Sequence, residues 1–215
     1  MKKNLTEMVF ILDRSGSMDG LEEDTIGGFN SFIKKQKKEE GQAMVSTVLF
    51  DHQLEVIHDR IDLDRVPLLT EEEYEVGGCT ALLDAIGQTI HHIKKVQKSL
   101  KKEECPDKTI FIITTDGMEN ASTEYSYEKL KHLVEKQKRE DGWEFLFLGA
   151  NIDAVKEAGR FGISSDRATN YCCDSEGTKL NYEVLGKAVA TFRTKKCMSQ
   201  NWDAEIKKDF NKRGK

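Results

Sequence analysis

Short apolar runs alternate along this chain with longer segments whose apolar positions recur every three or four residues. Met8 to Leu12 is apolar at every position, which predicts a short strand buried on both faces. Residues 21–38 carry Ile26, Phe29 and Ile33 at helical spacing, with Gly27 and Gly28 expected to allow close packing on a sheet. Ala43 to Phe50 and Gln53 to His58 are strand-like runs parted by Asp51-His52, a spacing that suits a tight hairpin. Residues 61–79 are irregular. A helix is predicted from Ala81 to Leu100, with Leu82, Leu83, Ile86, Ile90, Ile93 and Val96 as its stripe. Lys108 to Thr115 and Trp143 to Leu148 are further apolar strands, separated by a helix at 126–140. A short helix at 153–160, a weak strand at Ala168–Cys172 and a helix at 178–194 follow. Residues 203–215 read as a polar, basic, frayed extension of a single domain spanning 1–202.

Strands alternating with helices, the central ones apolar on both faces, predict an α/β fold. The expected form is a doubly wound, mostly parallel central sheet with one antiparallel edge strand and helices on both faces, a Rossmann-like arrangement.

Composition narrows the function. The 215 residues are 38% hydrophobic and 33% charged, enough for one large, well-solvated domain. A net charge of -5 gives no reason to expect nucleic acid, and Glu residues dilute the Lys-rich stretches at 34–38 and 94–102. No stretch approaches the ~20 apolar residues of a membrane span. The basic start leads into an apolar run of only five residues, shorter than a secretory segment requires. Five Cys, an odd number, predict free thiols and a cytoplasmic setting.

Candidate chemistry gathers where ligands bind in such sheets, beyond the carboxyl ends of strands at the point where strand order reverses. Asp13, Ser15 and Ser17 follow the first strand. Gly77-Gly78-Cys79-Thr80 opens the long helix, and Thr114-Thr115-Asp116-Gly117 follows the 108–115 strand. Two carboxylates and three hydroxyls are oxygen donors suited to Mg²⁺, and Mn²⁺ or Ca²⁺ accept the same ligands. Taken alone, the first segment also reads as a polar turn that caps the next helix, and Thr80 as a helix cap. Asp84, one turn into the helix, fits a helix-dipole or supporting role. Cys79 is expected to be a small buried side chain, Trp143 and Trp202 packing residues, and His91-His92 surface or packing residues.

Together, Asp13-x-Ser15-x-Ser17, Thr80 within Gly-Gly-Cys-Thr-Ala-Leu-Leu-Asp-Ala-Ile, and Thr-Thr-Asp116-Gly resemble the von Willebrand factor A (VWA) domain and its metal-ion-dependent adhesion site (MIDAS). The resemblance covers about residues 8–195. It implies that Ser15, Ser17 and Thr80 bind a metal directly or nearly so, and that Asp13 and Asp116 act directly or through water. It further implies a protein partner whose Asp or Glu completes the coordination. Thr-Asp-Gly-Met-Glu-Asn at 115–120 looks most like cytosolic bacterial members, for which an AAA-type ATPase is a candidate partner.

The expected function is therefore Mg²⁺-dependent protein binding rather than catalysis. The alternative is a metal-dependent hydrolase or phosphatase using the same carboxylates. Phosphatases with a carboxylate after the first strand need a second Asp two positions on, and that position is Ser15. No Walker loop or Ser-His-Asp order is present.

Overall fold

A computed structural model describes residues 4–195 and 197–213. Its centre is a six-stranded sheet of order β3-β2-β1-β4-β5-β6. The strands are β1 (Leu5–Asp13), β2 (Gln42–Phe50), β3 (Leu54–Asp62), β4 (Lys108–Thr115), β5 (Glu144–Gly149) and β6 (Ala168–Asn170). All neighbours pair in parallel except β2 and β3, so the sheet is mostly parallel with one antiparallel edge strand. The expected fold class is the one observed.

The helices are α1 (Glu22–Gln36), α2 (Leu82–Ser99), α3 (Tyr127–Asp141), α4 (Ala154–Arg160), α5 (Ser175–Lys195) and α6 (Ala204–Arg213). They cover both faces because β1 alternates its side chains with period two. Met8, Phe10 and Leu12 meet residues of α1 and α5, whereas Val9 and Ile11 meet residues of α2, α3 and α4. Phe10 packs edge-on against both Phe29 and Phe32 of α1, with ring centroids 5.1 Å apart in each pair. On the other face Phe111 stacks against both Trp143 and Phe145.

Several expectations need correction. β1 begins at Leu5, not Met8. Glu7 is fully buried, yet its carboxylate accepts from Arg60 Nε and Gln97 Nε2, both at 2.7 Å. β3 runs on to Asp62, past a register irregularity where Arg60 adopts a φ of 49°. Gly28 admits α5 rather than the sheet: a Cβ there would stand 2.2 Å from Tyr182 Cδ2, while one at Gly27 would meet open space.

The segment from 204 to 213, expected to fray, is helix α6, and residues 214–215 lie outside the described residues. Its only fully buried residue is Ile206, which joins Trp202 in the core against α5. Trp202 also donates its indole N–H to Asp166 O at 3.0 Å. Arg213 closes the far end on Asp209 and Asp174. One buried anchor among ten residues leaves no apolar stripe for the sequence to reveal.

Candidate metal centre

The chain leaves β1 to build β2 on one side and returns to build β4 on the other, so the strand order reverses between β1 and β4. Leu12 stands opposite Thr114, which sets Asp13 and Asp116 at the same end of adjacent strands. The loop that opens α2 reaches this end as well. Gly77 N–H donates to Arg14 O at 2.9 Å, and Gly16 N–H to Gly78 O at 3.1 Å. Gly78 has a φ of +73°, a conformation that favours glycine.

The five residues singled out from the sequence meet here. Thr80 Oγ1 lies 3.0 Å from Ser15 Oγ, Ser15 Oγ lies 3.2 Å from Ser17 Oγ, and Ser17 Oγ donates to Asp116 Oδ1 at 2.5 Å. Asp13 takes a different position. Its Oδ1 accepts Ser15 N–H at 2.7 Å and its Oδ2 accepts the Thr115 hydroxyl. Asp13 thus fixes the turn and the β4 end, with both oxygens engaged, while the hydroxyls and Asp116 are hydrogen-bonded to one another in a chain. Asp13, Ser15, Thr80 and Asp116 are almost fully buried, and Ser17 is the exposed member at the mouth.

The capping alternatives fail on the same geometry. Neither the turn after Ser15 nor α1, capped at Leu21, uses a side-chain cap. The N-cap of α2 is Ala81, not Thr80. Its free N–H groups are met from another chain segment: Leu83 N–H donates to Glu119 Oε2 at 2.9 Å and Asp84 N–H to Ser122 Oγ at 3.0 Å. The loop after β4 is in turn held by Asp84, whose carboxylate accepts N–H groups from Thr123, Glu124 and Tyr125. Asn120 Oδ1 accepts Thr80 N–H at 2.9 Å and its own N–H returns to Thr80 O at 3.0 Å. Asp84 is therefore a loop anchor, and Glu119, Asn120 and Ser122 are supports to which the sequence pattern assigned no role.

Electrostatics at the site is unbalanced. Burial pushes the Asp13 carboxyl up to about 6 against the lowering hydrogen bonds of Ser15 and Thr115, and the nearby Asp116 adds to the rise. Burial also raises Asp116, opposed by its hydrogen bond with Ser17. Among the described residues no basic side chain pairs with either. Arg14, the adjacent cation, turns away to Asp51 at 3.2 Å and Glu55 at 2.7 Å. Two buried carboxylates beside three hydroxyls, without a counter-charge, make a donor set that a divalent cation fits. Gly117 keeps the space open: a Cβ there would lie 2.9 Å from Ser17 Oγ and 3.1 Å from Thr80 Oγ1.

Among the other residues singled out, Cys79 differs from expectation, while the tryptophans and His92 lie as expected. Cys79 is exposed beside Thr80 rather than buried, because the turn at Gly78 directs it outward. Cys173, on the loop between β6 and α5, brings its Sγ to 3.8 Å from Asp116 Oδ2. Tyr74 donates its hydroxyl to Asp13 O from below. The two tryptophans are buried packing residues, and His92 reaches Asp59 at 2.9 Å on the surface. No group of three or more His, Cys, Asp or Glu suited to a metal occurs among the described residues, so the hydroxyls carry the case. No helix among them is long and apolar enough to cross a membrane.

No protein-family model matches the chain, and no curated protein matches its sequence. Solved structures do match its fold. A von Willebrand factor type A protein from Catenulispora acidiphila superposes with a TM-score of 0.59 at 15% identity, covering 86% of this chain and 42% of that one. Proximal thread matrix protein 1 from the mussel byssus, described with a zinc-occupied MIDAS motif, gives 0.58 at 15%, covering 86% and 46%. The vWF domain of the pilus tip protein Mfa5 from Porphyromonas gingivalis gives 0.63 at 9%, covering 90% and 98%. The chain thus spans less than half of the first two proteins and nearly all of the third domain. Its Rossmann-like sheet and helices have the VWA fold.

Proposed function

We propose that this chain is a metal-dependent protein-binding module. Ser15, Ser17, Thr80 and Asp116 hold a divalent cation, and Asp13 orients the turn that carries them and contributes charge directly or through water. Mg²⁺ is the preferred ion for so hard a donor set, and Mn²⁺ and Ca²⁺ share its ligand chemistry. The zinc-occupied MIDAS of the byssus protein supports a divalent cation at the equivalent position. When bound, the cation supplies an electrophilic point at which a partner's Asp or Glu completes the coordination.

The observation that carries this reading is the continuous contact from Thr80 through Ser15 and Ser17 to Asp116, with Asp13 buried beside it and, among the described residues, no basic side chain paired with either carboxylate. Neutral hydroxyls leave the ion's charge unquenched, which favours an incoming carboxylate. Catalysis is less well supported, since the position two residues after Asp13 is a serine already bonded to Thr80 and Ser17. The partner is a protein with an exposed acidic residue, with an AAA-type ATPase as one candidate, and the working compartment is the cytoplasm.

A pull-down of partners by wild type and Asp116→Ala, in Mg²⁺ and in EDTA, tests this. Partners retained only by wild type in Mg²⁺ support it. Retention that is indifferent to EDTA refutes the mechanism. Phosphate release from the purified protein, abolished in Asp13→Ala, would favour the hydrolase instead.

A further inference from the structure

The loop that carries Asp116 turns its polar side chains inward and its apolar one outward. Glu119 uses its carboxylate within the protein. Its Oε2 accepts Leu83 N–H at 2.9 Å and the Ser122 hydroxyl at 2.7 Å, and its Oε1 accepts the N–H groups of Ala121 at 3.0 Å and Ser122 at 2.8 Å. Asn120 Oδ1 accepts Thr80 N–H. Met118, between Gly117 and Glu119, is instead 67% exposed, and the next most exposed large apolar side chain among the described residues is Leu68 at 42%.

A single exposed apolar residue is ordinary on a surface, but the place of this one is not. A Cβ on Gly117 would touch Ser17 Oγ and Thr80 Oγ1, and consecutive Cα atoms are about 3.8 Å apart. An exposed thioether therefore stands one residue from the hydroxyls of the site. The hydrogen bonds of Glu119 and Asn120 hold the backbone beneath it, so little beyond the Met118 side chain is left to be ordered when a partner arrives. Methionine adapts its shape to a partner surface and makes favourable contacts with aromatic rings.

We propose that Met118 is the specificity contact of this site and that it covers an aromatic side chain next to the partner's metal-binding Asp or Glu. A carboxylate that reaches the cation brings its flanking residues onto this loop, where they meet Gly117 and Met118. A charged flank would lose water against a thioether that offers no counter-charge. An aromatic flank buries apolar area there and gains a sulfur contact. This rests on the acid capture proposed above, and adds the class of partner: a segment whose acidic residue is flanked by an aromatic one.

The probes are the blocked peptides Phe-Asp-Phe, Gly-Asp-Gly and Phe-Asn-Phe, titrated into full-length protein in Mg²⁺ and in EDTA. The methionine methyl groups carry ¹³C for NMR, and the Met118 signal is assigned by its loss in Met118→Ala. Wild type in Mg²⁺ should bind Phe-Asp-Phe at least about tenfold more tightly than Gly-Asp-Gly, with the Met118 methyl shifting on binding. Met118→Ala should lose most of that preference while keeping its Mg²⁺ affinity and thermal midpoint. Equal affinity for the two acidic peptides, a preference that survives Met118→Ala, or a Met118 methyl unmoved by bound Phe-Asp-Phe overturns the proposal and leaves acid capture standing. If neither acidic peptide binds the Mg²⁺-loaded protein, or if Phe-Asn-Phe binds as well as Phe-Asp-Phe, both readings fall. Binding of Phe-Asp-Phe that is unchanged in EDTA overturns both as well.

Discussion

Ser17 donates its hydroxyl to Asp116 Oδ1 at 2.5 Å across 99 residues of chain. The bond exists because β1 and β4, far apart in sequence, are neighbours in the sheet and end at the same level. It ties the turn after one strand to the turn after the other. It also places the exposed member of the hydroxyl chain against a buried carboxylate, so the mouth of the site and its charge are in direct contact.

Gly117, the next residue, is the most sensitive position for filling that space. A methyl group there would meet Ser17 Oγ at 2.9 Å and Thr80 Oγ1 at 3.1 Å. Gly117→Ala is expected to weaken Mg²⁺ binding about tenfold or more, which is roughly 1.4 kcal/mol, with little change in thermal midpoint. Calorimetric titration beside a melting curve checks both parts. An unchanged affinity would mean that the hydroxyls yield freely to the methyl.

Asp84 holds the loop that carries Gly117 and Asn120 through three successive backbone N–H groups. Hydrogen bonds to a charged acceptor are worth about 1.5–3 kcal/mol each at most, and these are partly exposed. Asp84→Ala should therefore cost about 1–3 kcal/mol in urea unfolding and speed amide exchange at Thr123 to Tyr125. Exchange unaltered at these three amides would show that the loop has other sufficient anchors.

Much of this arrangement was legible in the chain. The apolar runs at 8–12, 108–115 and 143–148 call for burial on both faces, and their alternation with helical segments points to a parallel sheet between helices. Its strand ends then locate Asp13 and Asp116 together, with Thr80 brought to them by the loop that opens α2. What stayed hidden depends on long-range contacts. Glu7 enters β1 only because Arg60 and Gln97 reach it. Glu119 caps α2 from a loop 36 residues away. Cys173 is adjacent to Asp116 only after β5 and β6 are laid beside β4. No local period encodes any of these.

The C-terminal helix depends on a single buried residue. Ile206 is 1% exposed and packs into the core with Trp202. Ile206→Ala should destabilise the protein by about 2–5 kcal/mol if the site cannot collapse. If it instead releases α6 locally, protection from exchange is lost over 204–213 while the sheet keeps its own. Wild-type stability with full protection of α6 would contradict this packing.

His58 supplies a pH dependence. Burial holds its imidazole below the ordinary histidine value, with Nδ1 3.0 Å from Thr47 Oγ1. The unfolded chain therefore binds the proton more readily than the folded one. This contribution to stability is complete above about pH 6.5 and is lost as pH falls through that value. Glu7 and Asp13, raised by burial, act with the opposite sign as pH rises, so the effect is read against a His58→Gln variant. The loss of stability between pH 7 and pH 5 should be greater in wild type than in the variant. A His58 titration midpoint by NMR at the ordinary value would abolish this contribution, and one above it would reverse the sign.

The cation site itself is tested most directly by electron paramagnetic resonance of Mn²⁺, whose free-ion signal disappears on coordination to protein. Wild type should quench that signal at a stoichiometry of about one, with Mg²⁺ restoring it by competition, and folded Asp116→Ala should leave it intact. A full free-ion signal in the presence of excess wild-type protein, or equal quenching by Asp116→Ala, would mean that these hydroxyls and carboxylates do not hold the ion.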